Sequence, residues 1–296
     1  MELFRVRLAA DRVLVADGAM GTMLMERGLQ PGSSPEAFNL DRPDALEEIA
    51  REYLNAGAEI IQTNTFGGSR LKLAQYSLGD RVAQINEKAV QAVRRAVKSN
   101  AYVSGSCGPT GQFLKPYGEV EPAEMMDVFR EQIGVLVSSG VDIICVETMS
   151  DLGEATSAVK AAKEIGSIPV MATMTFDQTP KGFYTIMGVT IEQAVKALEA
   201  AGADVVGSNC GNGIDNMVSI AGECRKFTRL PIIIQSNAGI PELKGDVAVY
   251  PETPEFMAGR VKDLLDAGVS IIGGCCGTTP AHIRAIREAV DAHKHS

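Results

Sequence analysis

Four times along this 296-residue chain a helix-compatible stretch stops on a glycine, passes one polar residue and enters a β-branched run. The four are Ala56-Gly57-Ala58-Glu59-Ile60-Ile61, Ser139-Gly140-Val141-Asp142-Ile143-Ile144, Ala201-Gly202-Ala203-Asp204-Val205-Val206 and Ala267-Gly268-Val269-Ser270-Ile271-Ile272. Glycine after a helix accepts the left-handed conformation that ends it, and β-branched residues fit the pleated surface of a strand. Four further apolar runs fall between these: Leu14 to Asp17, Tyr102 to Ser106, Ile168 to Thr175 and Pro231 to Ser236. Helical patterns occupy the gaps, at 122–139, 151–165, 190–201, 213–227, 254–267 and 280–292. Before the first repeat, residues 31–43 read as loop, and Asp44 with Glu47 outlines a capping box for the helix that ends at Gly57.

Eight near-continuous apolar strands alternating with helices call for right-handed parallel crossovers. The fold class predicted is α/β, a (β/α)8 TIM barrel. A doubly wound open sheet is the alternative; it would want a phosphate fingerprint after its first strand. Gly18-Ala19-Met20-Gly21 does not supply G-x-G-x-x-G. No linker or shift in composition divides the chain, so residues 1–296 are expected to form a single domain.

A net charge of −9, no tryptophan and no basic stripe argue against nucleic acid or an anionic membrane as partner. Met1-Glu2-Leu3-Phe4-Arg5 does not open a charged-then-apolar leader, and no apolar run reaches the roughly 18 residues of a membrane span. The expected location is the cytoplasm. In that reducing setting the six cysteines point to buried thiols or metal ligands rather than disulfides. With three histidines, two of them in the tail (His293 and His295), a histidine-based site is all but excluded.

Chemistry in such a barrel gathers at the C-terminal ends of the strands. Those ends carry Asp17, Thr63-Asn64-Thr65, Ser106-Cys107-Gly108, Glu147-Thr148, Thr175-Phe176-Asp177, Ser208-Asn209-Cys210-Gly211, Gln235-Ser236-Asn237 and Gly274-Cys275-Cys276. Cys275 and Cys276 are neighbours, and the Cα separation of about 3.8 Å across one peptide suits a disulfide poorly. Strands six and eight flank strand seven, so Cys210, Cys275 and Cys276 can converge and leave a fourth coordination position open, as in a catalytic zinc site. Asn237, between them, could fill that position through its amide oxygen. The residues alone leave metal binding and plain burial of these thiols both open, whereas Cys107, Cys145 and Cys224 read as packing. Asp17 and Glu147 could hold a substrate amine or cap the helices that follow them. Gly18 and Ala19 could offer backbone N–H groups to a carboxylate or make a tight turn.

At these residues the sequence resembles the homocysteine S-methyltransferase family. The likeness runs through Asp17-Gly-Ala-Met-Gly-Thr22, Gln62-Thr-Asn-Thr-Phe66, Gly105-Ser-Cys-Gly-Pro109, Gly207-Ser-Asn-Cys-Gly211 and Gly273-Gly-Cys-Cys-Gly277. Within the family it is nearest to the homocysteine-binding module of cobalamin-dependent methionine synthase, especially at Asp17 to Met23 and Asn39-Leu-Asp-Arg-Pro43. The resemblance implies a zinc-binding (β/α)8 barrel with Cys210, Cys275 and Cys276 as ligands and catalytic groups, and Asn237 on the zinc when substrate is absent. It implies that Asp17 and Glu147 bind the substrate amine. Backbone groups around Gly18, Ala19, Thr63, Asn64 and Thr65 would surround the amino-acid carboxylate. The implied reaction is methyl transfer to the thiol of L-homocysteine, giving methionine. The implied donor is methylcobalamin carried by a corrinoid protein or module; S-methylmethionine, a betaine or S-adenosylmethionine is the alternative, as is a homocysteine-binding subunit without turnover.

Overall fold

The computed structural model describes residues 3–10, 12–244 and 247–293. All four repeat glycines have positive φ: 97° at Gly57, 94° at Gly140, 103° at Gly202 and 81° at Gly268. Each ends a helix in the left-handed conformation that a Cβ disfavours. The polar residue that follows has a task as well. Asp142 Oδ2 accepts the N–H of Val103, and Asp204 Oδ2 accepts the N–H of Val170, so each carboxylate satisfies a backbone donor at the start of a neighbouring strand.

The strands of the main sheet are β1 (Leu14–Val15), β2 (Ile60–Gln62), β3 (Tyr102–Cys107), β4 (Ile143–Met149), β5 (Val170–Met174), β6 (Val205–Asn209), β7 (Ile232–Ser236) and β8 (Val269–Gly274); two short antiparallel hairpins, Asp177–Thr179 with Gly182–Tyr184 and Glu242–Lys244 with Val247–Val249, lie outside it. They form one eight-stranded sheet in which neighbours run parallel, with β8 returning to β1. A bridge from Ala16 to Ile60, with Asp17 N–H on the Ile60 carbonyl at 3.0 Å, brings the two ends of the sheet together. The sheet is a nearly closed barrel, the (β/α)8 architecture expected from the repeats.

The principal helices are α1 (Pro43–Asn55), α2 (Val82–Val97), α3 (Pro122–Ser138), α4 (Leu152–Ile165), α5 (Ile191–Ala201), α6 (Ile214–Phe227), the consecutive short α7 (Pro254–Gly259) and α8 (Val261–Asp266), and α9 (Pro280–His293). Their apolar faces pack on the outside of the barrel; in α1 the buried face is Ala45, Leu46, Ile49, Ala50 and Tyr53. Each large apolar side chain buried this way contributes about 1.5–3 kcal/mol.

Two local expectations change. No side chain caps α1: the helix starts at Pro43, behind Arg42, and Asp44 lies within its first turn. Proline at the first helical position has no N–H to be capped and a φ already suited to the helix, so the start lies two residues before the predicted one. Residues 31–43 contain a 3-10 turn (Pro35–Ala37) and a short helix (Phe38–Asp41) rather than open loop. The anchor is Asn39, fully buried, whose Nδ2 donates to the carbonyls of Asn64 and Ile85.

Inside the barrel, alternate residues of each strand point inward. Leu14, Ile60, Tyr102, Ile143, Met171, Val205, Ile233 and Ile271 form an apolar floor, closed from below by Phe4 of an N-terminal helix (Phe4–Ala9). Phe4 meets Tyr102 edge-on, ring centroids 5.3 Å apart. Continuing the alternation upward brings Ser106, Glu147, Thr173, Asn209, Asn237 and Cys275 to the mouth. The interior therefore turns from apolar to polar over the length of one strand. Gly207 of β6 has no room for a side chain, because a Cβ there would overlap the Ile233 carbonyl of β7. Gly207→Ala should lower the thermal midpoint by roughly 5 °C or more, since overpacking that moves backbone costs at least about 1–3 kcal/mol. A melt followed by circular dichroism checks this, and an unchanged midpoint would contradict it.

Candidate metal and substrate site

The ends of β6, β7 and β8 are stitched together through β7. Cys210 N–H donates to the Gln235 carbonyl at 3.1 Å, Cys275 N–H to the Ser236 carbonyl at 2.7 Å, and Ala238 N–H to the Cys276 carbonyl at 2.9 Å. Strand alternation would send Cys210 outward, but its φ of 61°, followed by 74° at Gly211, turns the chain over. On the other side β8 ends at Gly274, so Cys275 and Cys276 occupy a turn rather than opposite faces of a strand. Gly277, at φ 79°, completes that turn against the Tyr250 ring, which would collide with any Cβ. Thr278 closes it, its Oγ1 donating to the Cys275 carbonyl at 2.7 Å.

The result is a cluster whose three Sγ atoms lie within 4.8 Å of one another, all partly exposed. Cys210 Sγ and Cys276 Sγ are 3.8 Å apart. A tetrahedral zinc with Zn–S bonds of about 2.3 Å has sulfur–sulfur edges of about that length. Asn237 Oδ1 is buried beside these loops and has no hydrogen-bond partner among the described residues. A buried acceptor without a donor is costly unless something else meets it. The donor set of three thiols and one orphaned amide oxygen thus fits a thiophilic cation. Cys276 ionises first, its thiol pulled well down because Cys210 and Cys275 donate hydrogen bonds to its sulfur. Cys275 is pushed far up by its hydrogen bonds with Cys210 and Cys276, so the trio cannot release all its protons without a cation.

Asp17 and Glu147 stand at the same mouth and are 1% and 7% exposed. Asp17 Oδ2 accepts the N–H of Gln62 at 2.8 Å, and its Oδ1 has no partner among the described residues. Glu147 accepts from Ser106 Oγ through Oε1 and from Asn209 Nδ2 through Oε2, the latter at 3.3 Å. Neither carboxylate pairs with a lysine or arginine among the described residues. Burial accordingly pushes Asp17 up to about 8, opposed by the Gln62 N–H and reinforced by Glu147. Burial pushes Glu147 up to about 7, opposed by Ser106 and reinforced by Cys210. Neither side chain caps a helix: Asp151 caps α4, the helix after Glu147, and Ala19 precedes the short helix Met20–Glu26.

Thr63, Asn64 and Thr65 reach the rim with their side chains already engaged. Thr63 Oγ1 and Thr65 Oγ1 bond each other and the carbonyls of Ser104 and Ser106. Asn64 Nδ2 donates to Pro35 O and Asn39 Oδ1. Ala19 N–H donates to Thr278 Oγ1 at 3.1 Å, and Tyr53 Oη donates to the carbonyls of Ala19 and Thr278. What this segment keeps free is backbone: the N–H groups of Gly18 and Asn64 have no hydrogen bond among the described residues. Gly18 is held so close to Thr278 and Tyr53 that a Cβ would lie 2.6 Å from Thr278 Oγ1.

Cys107, Cys145 and Cys224 are fully buried and free, as packing thiols should be. His282 is tied between Thr279 and the Glu252 carbonyl. Sequence reasoning missed Asn209 as a hub and Ser106 as the partner of Glu147; inward alternation on β3 and β6 was the available signal. No helix among the described residues is long and apolar enough to cross a membrane.

A (β/α)8 barrel with a thiol cluster and buried carboxylates at its C-terminal mouth places the chain among barrels whose chemistry sits at the strand ends, with a donor set able to hold a metal ion. Residues 14–290 match the homocysteine S-methyltransferase family, and the chain belongs to it. The chain is 36% identical over 301 residues to a methionine synthase of Mycobacterium tuberculosis (strain ATCC 25618 / H37Rv), covering 95% of this chain and 25% of that protein. It is 35% identical to a methionine synthase of Mycobacterium leprae (strain TN), again over 95% of this chain and 24% of the relative. The chain therefore spans about a quarter of the length of these relatives. The Escherichia coli homocysteine methyltransferase MmuM in its metallated form superposes with a TM-score of 0.79 at 22% identity, over 96% of this chain and 98% of that one. Its oxidized form gives 0.80 at 21%, over 97% and 99%. At that identity the likeness bears on the fold.

The carboxylate shifts carry a sign. Asp17 binds its proton more tightly folded (about 8) than unfolded (3.8), so the folded state holds the extra proton between those values. The resulting stability is fully present below about pH 4 and is lost as pH rises through about 8. Asp17→Asn keeps the acceptor for Gln62 and has no proton to lose. In chelator-treated protein the melting-point difference should move in favour of Asp17→Asn by several degrees between pH 5 and pH 8.5. A difference independent of pH would show that Asp17 titrates like an exposed carboxylate.

Proposed function

We propose that this chain is the homocysteine-activating barrel of a methionine-forming methyltransferase, folded as one domain and working in the cytoplasm. The observation that carries the reading is the pairing, at one mouth, of a three-thiol cluster with two buried carboxylates that lack a cation. Cys210, Cys275 and Cys276 are assigned as zinc ligands and catalytic groups, with Asn237 Oδ1 as a fourth, exchangeable donor. Zinc held there supplies Lewis-acid activation of a thiol, whose free pKa near 8.5 leaves little thiolate at neutral pH.

The rest is the work of the chain's own residues. Asp17 and Glu147 receive the ammonium of L-homocysteine: its positive charge repays the burial that holds their protons on, and both carboxylates ionise as it enters. The N–H groups of Gly18 and Asn64 are the free donors for the substrate carboxylate, while Ala19, Thr63 and Thr65 shape the turn around it through backbone and engaged side chains. Holding both ends of the amino acid fixes where its thiol lies, which is the proximity contribution to rate. In the reaction the homocysteine sulfur forms a bond to the methyl carbon as the carbon–donor bond breaks, and the donor leaves with the bonding pair.

For the donor, the reading is a methylated corrinoid, methylcobalamin, on a separate protein or module. The support is the higher identity to proteins named methionine synthase than to MmuM, and their fourfold greater length. An apo-to-loaded series tests all of this: purified protein with zinc and homocysteine is given methylcobalamin, S-methylmethionine, a betaine or S-adenosylmethionine, and methionine is measured. Turnover with one of the last three alone would replace the corrinoid reading; zinc and homocysteine binding without turnover from any donor would favour a non-catalytic subunit.

Cys210→Ser, Cys275→Ser and Cys276→Ser should each lose stoichiometric zinc and thiol alkylation. Full zinc retention by all three in metal analysis would refute the ligand assignment. Glu147→Ala should weaken homocysteine binding about tenfold or more while zinc stays bound, since a hydrogen bond to a charged group is worth about 1.5–3 kcal/mol. Calorimetry showing unchanged affinity would remove Glu147 from the amine site.

A further inference from the structure

Asn209, the last residue of β6, is fully buried and lies between the carboxylate and the thiols. Its side chain is saturated. Oδ1 accepts the N–H of Thr148 at 2.8 Å and the Oγ1–H of Thr173 at 2.7 Å. Nδ2 faces three acceptors: Thr148 Oγ1 at 2.8 Å, Glu147 Oε2 at 3.3 Å and Cys275 Sγ at 3.8 Å. Thr175 Oγ1 holds the Asn209 carbonyl from β5 at 2.9 Å, so the strand end cannot swing.

Thr148 is the unusual member of this set. It has φ 58°, a left-handed conformation that a β-branched residue rarely adopts and that costs on the order of 1–3 kcal/mol. The register between β4 and β5 slips at the same place, between Val146 and Met149. Something must hold Thr148 there, and two of its polar groups, the N–H and the Oγ1, are held by one amide, Asn209. The consequence falls on the residue before it: the twist at Thr148 fixes how β4 leaves the barrel and therefore how Glu147 projects into the mouth.

We propose that Asn209 is a positioning residue that couples the amine-binding carboxylate to the thiol cluster: one face of its amide clamps Thr148 and orients Glu147, and the same Nδ2 lends an N–H to Cys275 Sγ. The inference deepens the reading above and rests on it, taking Glu147 as an amine ligand and Cys275 as a metal ligand. An amide on β6 can serve both because β5 and β7 flank it, and the Cys275 loop is bonded to the end of β7. A serine or alanine at this place would lack the reach, and an aspartate would lack the donors and set a third carboxylate beside Glu147.

Two readouts separate the two halves of the role. The first is homocysteine affinity, by calorimetry on the zinc-loaded full chain. The second is the thiolate-to-metal charge-transfer band of the same chain loaded with Co2+ instead, which reports on the hydrogen bonding of the sulfur ligands. Asn209→Ala should keep one metal per chain, weaken homocysteine binding about tenfold or more, and move the band to lower energy, because a sulfur that loses an N–H donor holds its electrons less tightly. Combining it with Thr148→Gly, which adopts φ 58° without strain, should recover at least about threefold of the affinity and leave the band shifted. A merely structural loss would not be rescued by a glycine at one site while the spectrum stayed altered. If Asn209→Ala does not fold, Asn209→Ser carries the same two readouts. Affinity within twofold of wild type, or an unmoved band, would overturn the inference alone. A wild-type chain that takes up no cobalt or binds no homocysteine would overturn the reading on which it rests, and the inference with it.

Discussion

Strand β7 is the constraint on which the site depends. It contributes no thiol, yet its carbonyls at Gln235 and Ser236 accept the N–H groups of Cys210 and Cys275, and the N–H of Ala238 holds the Cys276 carbonyl. Three sulfurs brought within 4.8 Å repel one another as they ionise, so nothing in the side chains themselves would keep them together without a cation. The barrel resolves this with backbone hydrogen bonds between the strand ends, independent of the thiols themselves. Preorganisation of that kind spends the ordering entropy during folding, leaving less of it to be lost on binding.

The second design element is an electrostatic deficit. Away from the mouth many charges of this protein are paired, as in Arg5 with Asp204 or the half-buried Arg287 with Glu59, and the exposed pairs contribute little individually. At the mouth the pattern reverses: Asp17 and Glu147 are buried with neutral donors and no cation among the described residues. Their raised proton affinities express that deficit. Below the carboxylates the barrel interior is filled by Phe4 and the apolar layer above it, which keeps their surroundings poor in water. Asn209 then ties the electrostatic half of the mouth to the sulfur half through a single amide.

How much of this was legible beforehand differs by residue. The helix–glycine–strand repeat announced the barrel because a C-terminal glycine and a β-branched run are local preferences, and Gly57, Gly140, Gly202 and Gly268 all adopt the conformation those preferences require. The start of α1 was misplaced by two residues because Asp44 and Glu47 matched a capping pattern, whereas Pro43 set the first turn. The stretch 31–43 looked like loop because its helices are short, and tertiary bonds from Asn39 stabilise them where local propensity does not. Asn64 and its neighbours were legible as rim residues, but their commitment to Pro35, Asn39 and Ser106 was not, since those partners lie 25 or more residues away.

By itself the sequence determined the alternation of strand and helix, the eight strand ends and the identities of the residues standing on them. These follow from period, capping and β-branching, which act over a few residues at a time. Only the tertiary structure decided which of those residues face one another. The convergence of Cys210 with Cys275 and Cys276 depends on a left-handed φ at Cys210 and on bonds across β7. The proton affinity of Asp17 depends on the burial imposed by the whole barrel, and the pose of Glu147 on a strained Thr148 clamped by Asn209. A positive φ at a non-glycine residue and the desolvation of a carboxylate are both imposed against local preference, so they become readable once the surrounding chain is in place.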